Sequence, residues 1–451
     1  MLGQILTIAR NTFLESVRQP IYFILIALCG IFQLLTTWSA GFSMDYSSTA
    51  EVSADDKLLL DIGMATVFVC GMLASAFLAT AVISKEIERK TVLTVVSKPV
   101  SRPTLVLGKY LGVSTAIVIA GATMLLFLQM SIRHKVMSTT ADDIDGPVIV
   151  FTLLAVGISL VVGVWCNFFY GWVFTQTATM LLFPLMLAAW LGVLLVGKGW
   201  KVQPMTTDFK TQIGIASICL ILAQLVLTSI ATAASARLGQ VMTLLICCGV
   251  FMLGLTSNYF LGSRAISNQF VGRIAKAEPE VVGMTSLQTP GDTYLITLDL
   301  EPRVRLVPGT PFYFGPNPSG FGMQVTSFPK FQGDISDSTA VFDRSKPATL
   351  TVVSQTVKAV KVIRTGADGP LVRRPPQAGD YVFTRPTVFN AAALAGWAMI
   401  PNIQAFWLVD AVSQNQPIPL SHLGLIALYS LAQVGVFLSL AVVLFQRREV
   451  G

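Results

Sequence analysis

The sequence predicts an α-helical polytopic membrane protein of about eight transmembrane helices, with an inserted β-rich soluble domain. Three observations carry that prediction. Of 451 residues, 53% are hydrophobic and only 12% charged, against about 25% charged in soluble domains; mean hydropathy is +0.68. Apolar runs of the roughly 20 residues that a span requires recur along the chain. One long interval, residues 262–385, interrupts them with polar sequence rich in Pro and Gly.

Residues 2–18 (LGQILTIARNTFLESVR) come first. Leu2, Ile5, Leu6, Ala9, Phe13 and Val17 fall on one helical face, and Gln4, Arg10, Asn11, Glu15 and Arg18 on the other. That pattern suits an amphipathic helix lying in the interface plane, and Pro20 permits a turn into the bilayer. The apolar run starting at Ile21 is too long for the core of a cleavable signal peptide and is expected to remain as a span.

Eight spans are expected at 21–40, 62–83, 105–130, 147–166, 173–196, 213–234, 240–261 and 420–445. Two pairs read as helical hairpins, one joined by the aromatic loop CNFFYGW and the other by SARLGQ. In 262–385, the alternating runs TYLITLDL, PATLTVVSQTV, VKAVKVIR and GDYVFTR are separated by the turn signals TPGD, NPSG and GADG, so a small barrel or sandwich is expected. Residues 388–411 are apolar but broken at Pro401-Asn402, which predicts a re-entrant or interfacial segment in place of a ninth span. The expected division is therefore an interfacial helix (1–19), a transmembrane domain (20–261), the β domain (262–385), and the broken segment with the last span (386–451).

Charge sets an orientation. With eight spans and the N-terminus inside, Arg10, Arg18, Lys85, Arg89, Lys90, Lys98, Arg102, Lys109, Arg237, Arg447 and Arg448 gather on the cytoplasmic side. The short outer segments are acidic on balance, as the positive-inside rule expects. Both termini are then cytoplasmic in an inner membrane and the β domain lies outside. The net charge of +7 is topological, lying beside the inner membrane surface, and is no footprint for nucleic acid.

Several chemistries are excluded. Gly108-Lys109 lacks the upstream glycine and following hydroxyl of a P-loop. The two histidines, His134 and His422, belong to no HExxH, and no catalytic constellation appears in the spans. The six cysteines (Cys29, Cys70, Cys166, Cys219, Cys247 and Cys248) lie in apolar runs without metal-ligand spacing. No catalytic residue, metal site or organic cofactor is expected in this chain. Asp61 reads as a helix-start residue favoured by the helix dipole, in preference to an ion ligand. Asn402 and Asp410, in the broken segment, either line a solute path or cap a helix break.

The most informative stretch is Ser84–Gly112, SKEIERKTVLTVVSKPVSRPTLVLGKYLG. Ser84 is placed to cap a cytoplasmic helix of 84–97, with Glu86 and Glu88 at its positive end. Pro99 and Pro103 would stop that helix. Gly108 and Gly112 form a GxxxG where another helix can pack closely. The helix is either a solvated loop element or a grip for a separate motor protein, with its charges giving register and Ile87, Val92 and Val95 filling a groove.

These stretches resemble the permease subunits of type-two ABC exporters. The likeness rests on IARNTFLESVRQPIYFILI, on Asp61 to Gly112, on SARLGQ, on IPNIQAFWLVDAV and on LFQRREVG, about a third of the chain. Within it, Glu86, Glu88, Thr91, Leu93, Lys98, Pro99, Val100, Ser101, Arg102, Gly108 and Lys109 match the family pattern. The resemblance implies that residues 2–18 are an elbow helix. It also implies a coupling helix at 84–97, docking a separate ABC ATPase through Glu86, Ile87, Glu88, Arg89, Lys90, Thr91, Lys98, Pro99 and Arg102. The segment 388–411 would be the re-entrant outer helices. Two permeases would form a dimer with two ATPases, and ATP and Mg²⁺ would belong to those partners. Eight spans exceed the family's usual six, and the β domain is an addition that would handle substrate, bind an extracytoplasmic partner or cap the structure. The alternative is a non-transporting membrane anchor or sensor that carries the β domain.

Overall fold

The structure is a computed structural model. It describes residues 2–39, 54–88, 101–136, 144–280, 287–413 and 418–446. The chain divides into two units. One comprises Met1–Leu255 with Ile400–Gly451, and the other Thr256–Met399.

The first unit is helical. Its elements are α1 (Leu2–Arg18), α2 (Pro20–Ser39), α3 (Ala54–Glu88), α4 (Arg102–His134), α5 (Gly146–Tyr170), α6 (Phe174–Leu195), α7 (Thr211–Ser235) and α8 (Gln240–Ser257). Among the described residues, eight helices are long and apolar enough to cross a membrane. In lipid, a helix satisfies every backbone donor and acceptor internally, so the apolar runs can only be helical. Helices α3, α4 and α7 are the most buried of the eight and form the centre of the bundle. Their neighbours expose Leu153, Val161 and Phe168 of α5 and Leu425 and Leu431 of the last span, as lipid-facing helices do.

Helix α3 runs further at both ends than its apolar length suggests. Helix α3 starts at Ala54, which puts Asp61 two turns inside it and not at its start. At its other end α3 continues unbroken through Ser84 to Glu88. Ser84 is therefore no N-cap, and Glu86 and Glu88 stand at the closing end of a membrane helix, not at the opening of a new one. The backbone meets no Pro or Gly between Met72 and Glu88, so nothing halts the helical hydrogen bonding where the sequence turns polar. Ser101 caps α4, its Oγ accepting from the amide of Thr104 at 3.4 Å. Pro103 sits in the first turn of α4, where a missing amide donor costs nothing.

The second unit is built on antiparallel strands. They are β1 (Ile266–Ser267), β2 (Phe270–Pro279), β3 (Thr293–Leu298), β4 (Tyr313–Gly315), β5 (Thr349–Gln355), β6 (Ala359–Thr365), β7 (Tyr381–Phe383) and β8 (Val388–Phe389). Six of them form one sheet in the order β4-β7-β2-β3-β6-β5. Its two edges are joined by the residues that lead into β4. Phe312 donates its amide to Leu350 at 2.8 Å, Val352 to Thr310 at 2.9 Å and Gly309 to Val352 at 2.9 Å, so the segment entering β4 pairs with β5. The ring of strands thereby closes into a small barrel, which removes both exposed edges. Phe312, Phe314, Phe383, Ile296, Val352 and Val362 fill it.

The unit extends beyond 262–385. Strand β1 pairs with β8, and Trp397 Nε1 donates to Asn258 Oδ1 at 3.1 Å. These contacts gather flanks that composition alone assigns to the membrane part. Within 388–411, Val388–Phe389 is a strand, α9 (Ala391–Met399) belongs to the β unit, and Asn390 Oδ1 accepts from Ala392 at the start of α9. Residues from Ile400 on belong to the helical unit: a 3₁₀ turn (Ile403–Phe406), α10 (Val409–Ser413) and α11 (Leu420–Gln446).

Candidate functional site

The helical unit carries its organised polar chemistry in four places: the end of the bundle near α1, the interior along α3, the broken segment, and the opposite bundle end.

At the first, α1 lies directly on α4. A Cβ at Gly108 would fall 2.7 Å from Ile8 Cγ2, and one at Gly112 would fall 2.5 Å from the Ala9 carbonyl oxygen and 2.6 Å from Thr12 Cβ. Only glycine admits this approach, and α1 meets it with a face of small polar residues, burying Thr12 and Ser16. The buried Lys109 donates Nζ to the Val82 carbonyl of α3 at 2.8 Å. Arg102 donates to the Gln446 carbonyl at 2.7 Å and Arg237 to the Leu444 carbonyl at 3.2 Å. Both arginines thus satisfy acceptors at the C-terminal end of α11, where cations are favoured. Arg18 Nε donates to Gln176 Oε1 at 2.8 Å, tying α1 to α6.

Of the residues expected to couple an ATPase, Glu86, Ile87 and Glu88 form the last turn of α3, and Arg102 opens α4. Arg89, Lys90, Thr91, Lys98 and Pro99 lie outside the described residues, so the structure brings only the two flanks of that stretch onto one bundle end.

Inside the bundle, two glutamines reach the α3 backbone. Gln33 of α2 donates Nε2 to the Gly63 carbonyl at 2.9 Å, and Gln224 of α7 donates Nε2 to the Val67 carbonyl at 3.1 Å. They are 1% and 0% exposed. Below them Ser75 and Thr228 share a hydroxyl–hydroxyl hydrogen bond of 2.9 Å. The Gln224 amide sits in a notch made by two glycines: a Cβ on Gly71 would lie 2.1 Å from its nitrogen, and one on Gly121 would lie 2.7 Å from its oxygen. Both glutamine Oε1 atoms are buried without a hydrogen-bond partner among the described residues. Leaving such an acceptor unpaired costs about 1–3 kcal/mol. A lone amide in each of two apolar runs was the available sequence signal, and it passes unnoticed without the glycines opposite.

In the broken segment, Asn402 donates its backbone N–H to Tyr429 Oη at 2.9 Å and Gln404 donates Nε2 to the Leu255 carbonyl at 2.8 Å. Gly254 admits the Pro401 carbonyl, which a Cβ would meet at 2.6 Å. The backbone freed by Pro401 is thus covered by protein, the condition for irregular chain at membrane depth. Asp410 lies in α10, one residue after the buried Val409. At the opposite bundle end, Arg133 pairs with the buried Asp145, which caps α5, and with Asp208 at 2.9 Å. Among the described residues no group of three His, Cys, Asp or Glu could hold a metal.

Eight apolar helices, with α1 packed on α4 and a covered chain break, define a multi-pass membrane protein. Residues 58–240 match the family model described as ABC-2 family transporter protein, a stretch running from α3 to the start of α8. Over that stretch the helical unit is similar to ABC-2-type permeases, and the β unit is an insertion between its two segments. No curated protein and no solved structure matches the chain.

Proposed function

We propose that this chain is the membrane-spanning subunit of an ATP-driven exporter, working as a dimer with a separate ABC ATPase that supplies ATP and Mg²⁺ chemistry. Residues 84–97 are the coupling element, with Glu86, Ile87, Glu88, Arg89, Lys90, Thr91, Lys98, Pro99 and Arg102 at the contact. Both termini lie in the cytoplasm and the β unit lies outside, where it handles substrate or a partner. The family match over 58–240 supports this reading, because it contains the whole Ser84–Gly112 stretch.

One observation gives the reading a mechanism. Helix α3 runs without interruption from the buried glutamine contacts to Glu88. A displacement of Glu86–Glu88 therefore reaches the interior as the motion of one stiff rod. Lys109 holds the Val82 carbonyl near the closing end of that rod. ATP-driven closure of the ATPases would shift α3 between two packed arrangements.

The test is a mild-detergent purification of the tagged chain from its own host, with mass spectrometry of bound proteins. A stoichiometric P-loop subunit is expected, with its ATPase rate reduced by Glu86→Ala with Arg89→Ala. A chain that retains other membrane partners but no ATPase would overturn the reading in favour of an anchor or sensor. Unchanged coupling in the double variant would remove the contact assigned to 84–97.

A further inference from the structure

The polar contacts inside the bundle follow a single line. Gly63, Val67, Gly71 and Ser75 are spaced four apart on α3 and so form one ridge. Gly63 and Val67 receive the glutamine amides, Gly71 makes room for Gln224, and Ser75 meets Thr228. Over twelve residues the ridge extends about 18 Å, more than half of a hydrocarbon core about 30 Å thick. Helix α2 faces it at Gln33, and α7 faces it at Gln224 and Thr228. Helix α4 closes the seam with Leu128 beside Gly63 and Gly121 beside Gln224.

The orientation of both amides is fixed by their partners. Each faces a backbone carbonyl, which only accepts, so each must present its nitrogen there and leave its oxygen over. The two unpartnered atoms, Gln33 Oε1 and Gln224 Oε1, are both acceptors. What satisfies them must donate a hydrogen bond. A hydroxyl, an ammonium or an amide N–H qualifies; a phosphate or carboxylate does not.

We propose that the α3 ridge, with Gln33 and Gln224 as successive acceptor stations, lines a route for a solute bearing hydrogen-bond donors. The inference rests on the permease reading and names the chemical class that such a permease would pass. When α3 moves, the seam between it, α2, α4 and α7 opens, and the two carbonyl oxygens take the donors of the passing molecule. Glycine at 63, 71 and 121 keeps the stations free of side chains that would block them.

The test uses the full chain with its co-purified ATPase in liposomes, the six native cysteines replaced, and a single cysteine at Ser75 or Thr228. The probes are two small thiol reagents of similar size, an aminoethyl methanethiosulfonate that carries an ammonium and a sulfonatoethyl methanethiosulfonate that carries an anion. During ATP turnover the ammonium reagent should modify both positions about tenfold faster or more, the equivalent of one charge-assisted hydrogen bond. Gln224→Leu and Gln33→Leu should abolish that preference. Equal rates for the two reagents, or no modification in any nucleotide state, would overturn the proposal and assign the two oxygens to fixed internal water. Co-purification of the ATPase is scored in the same preparation, so an inert seam beside a bound, active ATPase counts against the route alone. Loss of the ATPase itself counts against the permease reading.

Discussion

Deep within the spans, the helical unit buries neutral amides and hydroxyls, each leaning on a neighbouring helix's backbone or hydroxyl (Gln33, Gln224, Ser75 and Thr228), and its buried charges, Lys109 and Asp145, stay within about two turns of a helix end. The β unit buries charge. Arg364 of β6 is 0% exposed and donates to the Leu287 and Ala367 carbonyls at 3.3 and 2.8 Å. Burial pulls its guanidinium below the usual range, and the Asp292 and Asp368 carboxylates oppose that shift. Arg374 meets the buried Asp380 through two bonds of 2.7 and 2.6 Å, a hydrogen-bonded pairing that raises the arginine further. The solvent explains the difference. A charge at bilayer depth is expensive whatever its partner, so the helical unit moves Arg133, Asp145, Arg102 and Arg237 to the ends of its helices. A barrel in water can enclose a guanidinium whose two Nη groups meet carbonyls and which has carboxylates nearby, even with Nε left without a partner among the described residues.

The comparison breaks most visibly at Arg364. Arg364→Ala removes two charge-assisted hydrogen bonds and leaves a cavity, an expected loss of roughly 3–5 kcal/mol. In the full-length protein, hydrogen exchange should accelerate across β3 and β6 while α3 and α4 stay protected. Exchange unchanged in β6 would mean that the guanidinium holds nothing the barrel needs.

A smaller effect is expected at Gly112, where overpacking costs about 1–3 kcal/mol. Gly112→Leu must push the Ala9 carbonyl and Thr12 aside. Exchange should rise in α1 alone, and Gly249→Leu is the control, since a Cβ there meets nothing within 4 Å. Equal effects of the two substitutions would show that the close approach of α1 is unimportant.

Much of the helical unit was legible because lipid allows few solutions. Apolar length fixed the number of spans, and Pro401 marked the covered break. The helix ends were less legible: α3 keeps its hydrogen bonds past Ser84, since polarity ends a span without ending a helix. Strand positions in the β unit followed from alternation, but closure of the barrel did not. It depends on Thr310 and Phe312 meeting Leu350 and Val352 across a long loop, through backbone groups that no side-chain pattern records. The interior ridge was equally hidden, because Gln33 and Gln224 acquire meaning only when Gly63, Gly71 and Gly121 are seen opposite them.

The smallest effect sharpens the comparison through pH. In the β unit, a hydrogen bond from Lys361 holds the Glu280 carboxyl below its ordinary value of 4.5, with Thr293 adding to the effect. Hydroxyl and amide donors at Thr339 and Ser345 do the same for Asp337 and Asp343, whose ordinary value is 3.8. A carboxyl depressed in the folded state stabilises fully above its unfolded value, and that stability is lost as pH falls through the lower folded value. The window therefore opens below about pH 4.5 and extends downward. Lys361 and Glu280 are 33% and 43% exposed, so solvent screening limits the pair to about 0.2–1 kcal/mol. Denaturant midpoints read from exchange in β2 and β6 should begin to fall below that pH, and Glu280→Gln should flatten the first part of the decline. Parallel curves for the two proteins would show that the bridge to β6 contributes nothing. The barrel's acid sensitivity would then lie with Asp337 and Asp343, in the loop between β4 and β5.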